Sequence, residues 1–393
     1  MLGNIMKRKS RQTALLLLTV LVSGHSAAAQ QPPVAQLPSE QDAPIALLVD
    51  LTSGQTLFAR EADRRFAPAS ITKVMTAYTA FDQMKRGKLH VTQALPVRPA
   101  TFEQWSRVGS TMYLPRDTQV SVNQLLMGIT TVSANDGSIV LAEGAAGSVE
   151  NWLGLMNANA RKLGMRNSHF GTPNGWPDGG ATYTTARDLV TLADATLTEH
   201  PQLYKAYYGH QSFTFNGITQ PNHDPITGRV KGADGMKTGY TDAAGFGFLG
   251  SAERDGRRLA MVVATSDRAA ARDRAARALM EWGFANFRNM GLLPEGRPVA
   301  SAKVQGGASR SVALMTARPL AITVPRGVKP RVAMAVRYDG PLVAPIRKGA
   351  IVGQLQVQVA GMPSYSLPLY AGEEVRRANP LQQVLNGFVG WFA

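Results

Sequence analysis

The 393-residue sequence contains no cysteine. Disulfides, a thiolate nucleophile, a cysteine-based zinc site and lipidation of an N-terminal cysteine are therefore excluded. The six histidines never pair at the spacing of metal ligands, so we expect neither a metal nor another cofactor. Hydrophobic residues make up 44% of the chain and charged residues 18%, which is typical of a globular protein whose stability depends on its core.

Acidic residues are missing from the start of the chain, where a basic stretch runs from Lys7 to Arg11. An apolar run over 14–22 follows, and Ala27–Ala29 completes an A-x-A cleavage pattern. Because that run is too short to span a bilayer core of roughly 30 Å, the pattern predicts a cleaved signal peptide over residues 1–29. The formal charge of the whole chain is +15. An exported basic protein suits an anionic lipid or polymer, and we expect no nucleic-acid partner.

Shifts in composition divide the remaining chain. A Gln- and Pro-rich lead-in covers 30–42, and a region in which strands and helices alternate unevenly covers 43–292, which favours an α+β domain over a doubly wound one. Short β-rich runs punctuated by Gly and Pro cover 297–373 and predict a small all-β domain. The last segment, 374–393, forms a fourth region.

This last segment has the spacing of an amphipathic helix. Its apolar residues Leu381, Val384, Leu385 and Phe388 recur at helical intervals after the basic pair at 376–377. Such a helix can lie on a membrane surface. The alternative, a helix packed on the body of the protein, has the same spacing and stays open.

The first candidate site is Pro68-Ala-Ser-Ile-Thr-Lys73, in a stretch that predicts a helix from Ser70 to Phe81. On a helix, Ser70 and Lys73 share one face, and a desolvated lysine could take the proton of the serine hydroxyl. Backbone N–H groups at the helix start could stabilise an oxyanion. Alone, this spacing also arises on ordinary solvated helices.

A second candidate is Ser133-Ala-Asn135, on a loop after an apolar helix, where a hydroxyl and an amide could face one cavity. The rival Ser121-Val-Asn123 leads directly into a helix, so we interpret Ser121 as its N-cap. Strand alternation places Lys237 and Gly239 of a third cluster on one side and Thr238 on the other, unless edge twist intervenes. A cation and a hydroxyl suit a substrate carboxylate, and a glycine suits close pairing with a substrate backbone.

Together, and in this order, Ser-x-x-Lys, Ser-x-Asn and Lys-Thr-Gly are the motifs of β-lactamases and penicillin-binding proteins. The chain resembles the low-molecular-mass penicillin-binding proteins that act as D-alanyl-D-alanine carboxypeptidases, over roughly 43–369. The resemblance implies a β-lactamase/transpeptidase-like catalytic domain over 43–292, an antiparallel sheet flanked by helices. It also implies an all-β domain and an anchoring helix at the periplasmic face of the cytoplasmic membrane. Framework matches include 167–170, 173–175, 185–189, 282–284 and 344–349.

The resemblance also implies roles for particular residues. Ser70 would be the nucleophile, Lys73 the general base and Ser133 the proton relay to the leaving D-alanine. Asn135 would hold the peptide, and the backbone N–H groups of Ser70 and Tyr240 would form the oxyanion hole. Lys237 and Thr238 would bind the terminal carboxylate together with an arginine, for which Arg272 matches better than its neighbours Arg268 and Arg274. The partners implied are peptidoglycan stem peptides, and β-lactams as covalent inhibitors.

Three alternatives share the motifs. A class A β-lactamase needs a glutamate for deacylation, and there is none between Glu150 and Glu199. A D,D-endopeptidase or transpeptidase differs only in the acyl donor or acceptor, which the motifs do not distinguish. An inactive envelope scaffold would not require Ser70 and Lys73 to be intact.

Overall fold

The computed structural model describes residues 36–379, together with Thr13, Ala14 and Gln382. The chain divides into two compact units. Among the described residues, the N-terminal unit comprises 36–51 and Thr56–Asn286, and the C-terminal unit contains 287–379 with the turn Thr52–Gln55. The predicted signal peptide, the beginning of the lead-in and the amphipathic helix from Pro380 lie outside the described residues, apart from those three.

A five-stranded sheet forms the framework of the N-terminal unit. Its interior strand β1 has the sequence IALLVD and is buried at all six positions, as expected where both faces of a sheet are covered. Antiparallel pairing joins β1 to β9, β9 to β8 and β8 to β7, so that the sheet order is β2-β1-β9-β8-β7 with β7 at one edge. The strands are β1 Ile45–Asp50, β2 Gln55–Arg60, β7 Ala233–Thr241, β8 Gly245–Arg254 and β9 Arg257–Ser266.

Eight helices and two short β-ribbons complete this unit. The helices are α1 Lys73–Lys85, α2 Pro99–Trp105, α3 Val122–Thr131, α4 Asn135–Ala146, α5 Val149–Lys162, α6 Ala186–Glu199, α7 Pro201–Tyr207 and α8 Ala269–Asn286. The ribbons pair β3 Ala94–Pro96 with β4 Gln119–Ser121, and β5 Ser212–Phe215 with β6 Ile218–Pro221. A continuous hydrophobic core includes Tyr78 and Phe81 of α1 and Trp152 of α5, all fully buried.

The start of α1 differs from the predicted helix. Ala69–Thr72 form a 3₁₀ turn, and the α-helix begins only at Lys73. Ala69 has a φ of 48°, a left-handed conformation that interrupts regular helix geometry immediately before Ser70. Ser70 therefore lies in a tight turn, in which residues three apart are eclipsed. This geometry still brings Ser70 and Lys73 to one side.

The interpretation of Ser121 as a helix cap is confirmed. Its side chain accepts from Gln124 N at 3.2 Å, and the Gln124 side chain accepts from Ser121 N, which makes a capping box at the start of α3. The serine of the rival Ser-x-Asn motif therefore stabilises the start of α3.

The C-terminal unit is built of β-strands, as predicted. Strands β14, β16, β17, β12, β11 and β15 follow one another in one sheet, whose β14 edge also pairs with Thr13–Ala14, and β10 pairs antiparallel with β13. The strands are β10 Phe287–Leu293, β11 Ala300–Gln305, β12 Ser311–Met315, β13 Leu320–Pro325, β14 Val332–Arg337, β15 Leu342–Val343, β16 Ile351–Val359 and β17 Tyr365–Ala371. Among the described residues, no helix combines the length and the apolar character needed to cross a membrane.

Candidate active site

A cavity of about 660 Å³ in the N-terminal unit brings the three motifs together. It lies between the 3₁₀ turn, the loop before α4, the edge strand β7 and the start of α8. The predicted site residues that line it are Ser70, Ser133, Asn135, Thr238, Gly239, Tyr240 and Arg272. Lys73 and Lys237 are not part of this lining and are only 1% and 4% exposed.

Lys73 donates hydrogen bonds to three acceptors. Its Nζ lies 2.8 Å from Ser70 Oγ, 2.8 Å from Asn135 Oδ1 and 2.7 Å from the backbone oxygen of Asn174. The first contact is the nucleophile–base geometry that the sequence predicts, and the second connects the first motif to the second. The amine is therefore held in one position by fixed partners.

The surroundings of Lys73 favour its neutral form. Burial away from water lowers its pKa well below the ordinary value, and the nearby charge of Lys237 adds to this effect. The carboxylate of Asp136 acts in the opposite direction. A lysine with a lowered pKa can exist as a free amine near neutral pH, which a general base requires.

The second motif is held in a strained loop. Ser133 has a φ of 64°, and such a conformation of a non-glycine residue persists only where its surroundings enforce it. Asn135, the first residue of α4, is fixed by its N–H to Ser110 O at 2.8 Å and by its Nδ2 to Val108 O at 3.0 Å. The Asn135 side chain thus spans from the loop at 108–110 to Lys73.

On β7, strict alternation does not describe which residues reach the cavity. Thr238, Gly239 and Tyr240 all line it, because the cavity is open along the outer edge of the sheet. A Cβ on Gly239 would lie 2.5 Å from Pro68 O, so glycine permits close packing of the strand against the 3₁₀ turn. The need for glycine here therefore comes from the protein itself, in addition to any pairing with a substrate.

Lys237 lies behind this edge, where its Nζ donates to Thr238 O at 2.9 Å. Burial and the neighbouring Arg272 lower the pKa of Lys237 to about 7, against a smaller upward effect of Asp224. A binding site in which a neighbouring cation lowers the pKa of a lysine favours the arrival of an anion.

The three arginine candidates separate clearly. Arg272 is 6% exposed, lines the cavity and donates to Gly247 O at 3.0 Å. Arg268 is exposed and pairs with Asp267, and Arg274 is exposed and pairs with Asp42. Neither of these two is part of the cavity lining.

Several residues of the cavity are not indicated by any of the three motifs. Asn174 supplies a backbone acceptor to Lys73, and a Cβ on the neighbouring Gly175 would lie 1.8 Å from Ala69 O. Trp176 lines the cavity with its ring edge-on to Trp105, the ring centres being 5.6 Å apart. The segment Pro173-Asn-Gly175 was noted as a framework match, and that was the available signal.

Asp136, the last residue of the cluster that begins at Ser133, and His223 have no predicted role. The Asp136 carboxylate accepts from the backbone N–H groups of Met112 and Leu114 at 3.1 and 3.2 Å, which attaches this part of the chain to α4. Burial raises the pKa of Asp136, although these N–H groups act against the shift. His223 lines the cavity on the side of Arg272.

Residues 26–267 match the family described as peptidase S11, D-alanyl-D-alanine carboxypeptidase. The chain belongs to this family. Residues 287–377 match the C-terminal domain of penicillin-binding protein 5. The predicted resemblance, the α+β catalytic domain followed by an all-β domain, and the hydrolase activity of a D-alanyl-D-alanine carboxypeptidase are thereby confirmed. The endopeptidase alternative receives no better support.

Individual relatives agree with this assignment. The carboxypeptidase is 33% identical over 379 residues to D-alanyl-D-alanine carboxypeptidase DacA of Haemophilus influenzae, and the match covers 95% of each chain. Penicillin-binding protein 5 from Haemophilus influenzae matches with a TM-score of 0.74 at 33% identity, over 87% of this chain and 100% of that one. Penicillin-binding protein D2 from Listeria monocytogenes, in its ampicillin-bound form, matches with a TM-score of 0.57 at 28% identity, over 63% and 100%.

Proposed function

We propose that this carboxypeptidase removes the terminal D-alanine of peptidoglycan pentapeptides in two steps through an acyl-enzyme on Ser70. The Ser70 oxygen attacks the D-Ala-D-Ala carbonyl, and D-alanine leaves as its nitrogen gains a proton. Water then attacks the ester and releases the shortened peptide and Ser70. The observation that carries this proposal is the 2.8 Å contact between Lys73 Nζ and Ser70 Oγ.

The hydrogen bonds of Lys73 suit the role of a base. A neutral amine has two N–H donors and one lone pair, which together match the three hydrogen-bond contacts of Lys73. Asn135 Oδ1 and Asn174 O can each keep a donated hydrogen bond, which leaves the lone pair directed at the Ser70 hydroxyl. In this arrangement the acceptors orient the base and the lowered pKa supplies its neutral form.

For the remaining residues we propose the roles that the family resemblance implies. Ser133 relays the proton to the leaving D-alanine, and Asn135 holds the peptide. Lys237, Thr238 and Arg272 recognise the terminal carboxylate, because Thr238 and Arg272 line the cavity and the cationic Lys237 is buried directly behind Thr238. The N–H groups of Ser70 and Tyr240 stabilise the oxyanion.

The test is release of D-alanine from a soluble pentapeptide ending in D-Ala-D-Ala. We expect Ser70→Ala to abolish release, a loss of about 10⁴-fold or more, by analogy with other serine nucleophiles. Ser301→Ala, an exposed serine in the C-terminal unit, is the matched control and should be unaffected. If wild type released no D-alanine while a fluorescent penicillin still labelled Ser70, an endopeptidase acting on crosslinked strands would replace this proposal.

β-Lactams are proposed as covalent inhibitors that acylate Ser70. Support comes from the ampicillin-bound form of the Listeria monocytogenes relative. A β-lactam carries a strained amide and a carboxylate, and these match the scissile bond and the terminal carboxylate of the dipeptide. The same Ser70→Ala variant should lose penicillin labelling.

We further propose that residues 1–29 direct export and that 380–393 hold the mature enzyme at the periplasmic face of the cytoplasmic membrane. The exposed pair Arg376 and Arg377 immediately precedes this apolar segment. Deleting Pro380–Ala393 should release the protein from membranes without lowering its rate on a soluble peptide. Membrane association that survives the deletion would refute the anchor.

A further inference from the structure

His223 lines the cavity that contains Ser70 and Asn135, yet no predicted role uses it. It lies in the loop that follows β6. Within the described part of the chain, its imidazole has no hydrogen-bond partner. A polar ring facing a binding cavity without an internal partner is available to a ligand.

Hydrogen bonds of its two neighbours fix the backbone position of His223. Asn222 donates from Nδ2 to His210 O and from N to Gln211 O, both at 2.8 Å. On the other side, the Asp224 carboxylate accepts from Ile226 N at 2.8 Å and from Thr227 Oγ1 at 2.6 Å. The backbone is therefore braced on both sides of His223, while the residue itself remains exposed.

The charges around His223 come from several elements. Although the residue as a whole is exposed, partial desolvation lowers its pKa below the ordinary value, and Lys237 on β7 and Arg272 on α8 lower it further. Asp224, in the same loop, acts on Lys237. The other titratable groups in the lining, Tyr240 and Asp242, are bonded to each other at 2.6 Å. His223 thus lies near two cations, Lys237 and Arg272, of which Arg272 is also paired with Asp273 at 2.6 Å.

An anion bound among these groups would act against the lowering of the pKa of His223 by the two cations. A carboxylate near His223, Lys237 and Arg272 favours the charged form of each of them. Protonated histidine offers a charge-assisted hydrogen bond, which is stronger than one from the neutral ring. Binding of the anion and protonation of His223 are therefore linked.

We propose that His223 is a third recognition group for the terminal carboxylate of the substrate, and that it takes up a proton as the carboxylate binds. This proposal rests on the proposed function, because it concerns the same substrate end. It adds to Lys237 and Arg272 a cation that is present only when the site is filled or the pH is low. Affinity for a carboxylate-ended peptide should then fall as pH rises through the pKa of His223 in the complex.

The test compares wild type with His223→Gln and His223→Arg, using the soluble pentapeptide between pH 5.5 and 9. For His223→Gln we expect KM at pH 6 to rise about threefold to tenfold, a range typical for loss of a charge-assisted hydrogen bond, and to converge with wild type at pH 9. His223→Arg keeps its charge and should hold KM low up to pH 9. In both variants kcat should stay within about twofold, since the ring touches only the bound end of the substrate.

His90→Gln, an exposed histidine that is not part of the cavity lining, is the control. Parallel pH profiles of KM for wild type and His223→Gln would overturn the proposal, as would a fall in kcat with KM unchanged. Penicillin labelling of Ser70 distinguishes a failure of the proposed role of His223 from a failure of the proposed carboxypeptidase mechanism. Labelling and D-alanine release that persist in both variants with unchanged KM profiles would leave the carboxypeptidase mechanism intact and remove only the role of His223.

Discussion

The two units use lysine and arginine in opposite ways. Residues 36–286 contain 25 basic and 23 acidic residues, whereas 287–379 contain 13 basic and 4 acidic ones. In the N-terminal unit, Lys73 and Lys237 are buried and their pKa values are lowered. In the C-terminal unit, Lys303, Lys329 and Lys348 are exposed to water. Net positive charge is thus greatest in the C-terminal unit, whereas the two buried lysines with lowered pKa values lie at the candidate site.

The difference shows that net charge and chemistry are separate properties of this chain. A buried lysine is expensive because it loses hydration, and in the proposed mechanism Lys73 and Lys237 offset that cost by acting on the serine proton and on the substrate carboxylate. An exposed lysine keeps its hydration and acts only through its field. The strongly basic character of the sequence therefore describes the C-terminal unit far more than the active site.

We expect the largest effect on the rate when a buried lysine of the site is replaced, and none when an exposed lysine is replaced in the same way. Lys73→Met should lower D-alanine release about 10²–10⁴-fold, the usual contribution of a general base, because Ser70 loses its proton acceptor. Lys348→Met in the C-terminal unit makes the same chemical change at an exposed position and should leave kcat/KM unchanged. The measurement is the steady-state rate on the soluble pentapeptide. A Lys73→Met enzyme of near wild-type rate would mean that another group takes the proton.

How far the site could be predicted follows from the same residues. Ser70 and Lys73 are three apart, so local geometry alone brings them together, and this was predictable. Asn174 is 101 residues from Lys73 and contributes a backbone oxygen, a group that every residue possesses and that no motif marks. His223 becomes relevant only because a braced loop returns it to the cavity. The sequence therefore predicts side-chain chemistry within motifs, whereas contacts across the fold require the structure.

The fold shows a similar division. In the sequence, the runs at 245–250 and 259–264 predict two sheet strands and the pattern over 269–287 predicts a helix. The structure has strands over Gly245–Arg254 and Arg257–Ser266 and a helix over Ala269–Asn286, so all three are confirmed with small changes at their ends. The pattern over 138–145 predicts a helix from Ser138, whereas α4 begins at Asn135. Its first turn has no side-chain cap, so the usual start signal is missing, and tertiary bonds from Asn135 and Asp136 fix it instead.

A second prediction tests whether the exposed basic residues of the C-terminal unit bind an anionic membrane. Ile346 and Val375 exchange backbone hydrogen bonds at 2.8 Å in an antiparallel bridge, so the exposed Arg347 and Lys348 belong to a segment that pairs with the one leading to the proposed anchor. Each basic side chain near an anionic surface contributes about 1 kcal/mol at low salt. The double variant Arg347→Glu, Lys348→Glu should therefore bind phosphatidylglycerol vesicles at least tenfold more weakly, with its peptidase rate unchanged.

The matched control for this variant reverses two exposed charges of the N-terminal unit, Arg166→Glu and Lys205→Glu. Vesicle sedimentation at low and high salt should show the loss for the C-terminal pair alone, and only at low salt. An equal loss in both variants would mean that binding follows total charge, and the contrast between the units would then have no role in membrane association.

A third prediction concerns stability and pH. The pKa of Lys237 is about 7 in the folded protein and about 10.4 in an unfolded chain, so the unfolded state binds more protons between these values. The free energy of unfolding should therefore rise with pH across this window, with a slope of at most about 1.4 kcal/mol per pH unit from this group. Lys237→Met should flatten the rise, measured by urea denaturation at pH 7 and 9.5, whereas Lys348→Met should not. Equal slopes in the two variants would show that Lys237 keeps its proton when buried.

The smallest expected effect is at Tyr240, which lines the site but is half exposed. Its ring stacks on Phe246 with centres 4.0 Å apart, and its hydroxyl donates to Asp242 at 2.6 Å. The proposed oxyanion role belongs to the backbone N–H, which Tyr240→Phe preserves together with the ring stacking. The variant should therefore keep kcat/KM within about twofold of wild type, as is usual for a change at an exposed position. A larger fall, with Asp242→Asn behaving alike, would mean that the Tyr240–Asp242 pair shapes the rim of the cavity, and that even exposed polar groups of this unit contribute to catalysis.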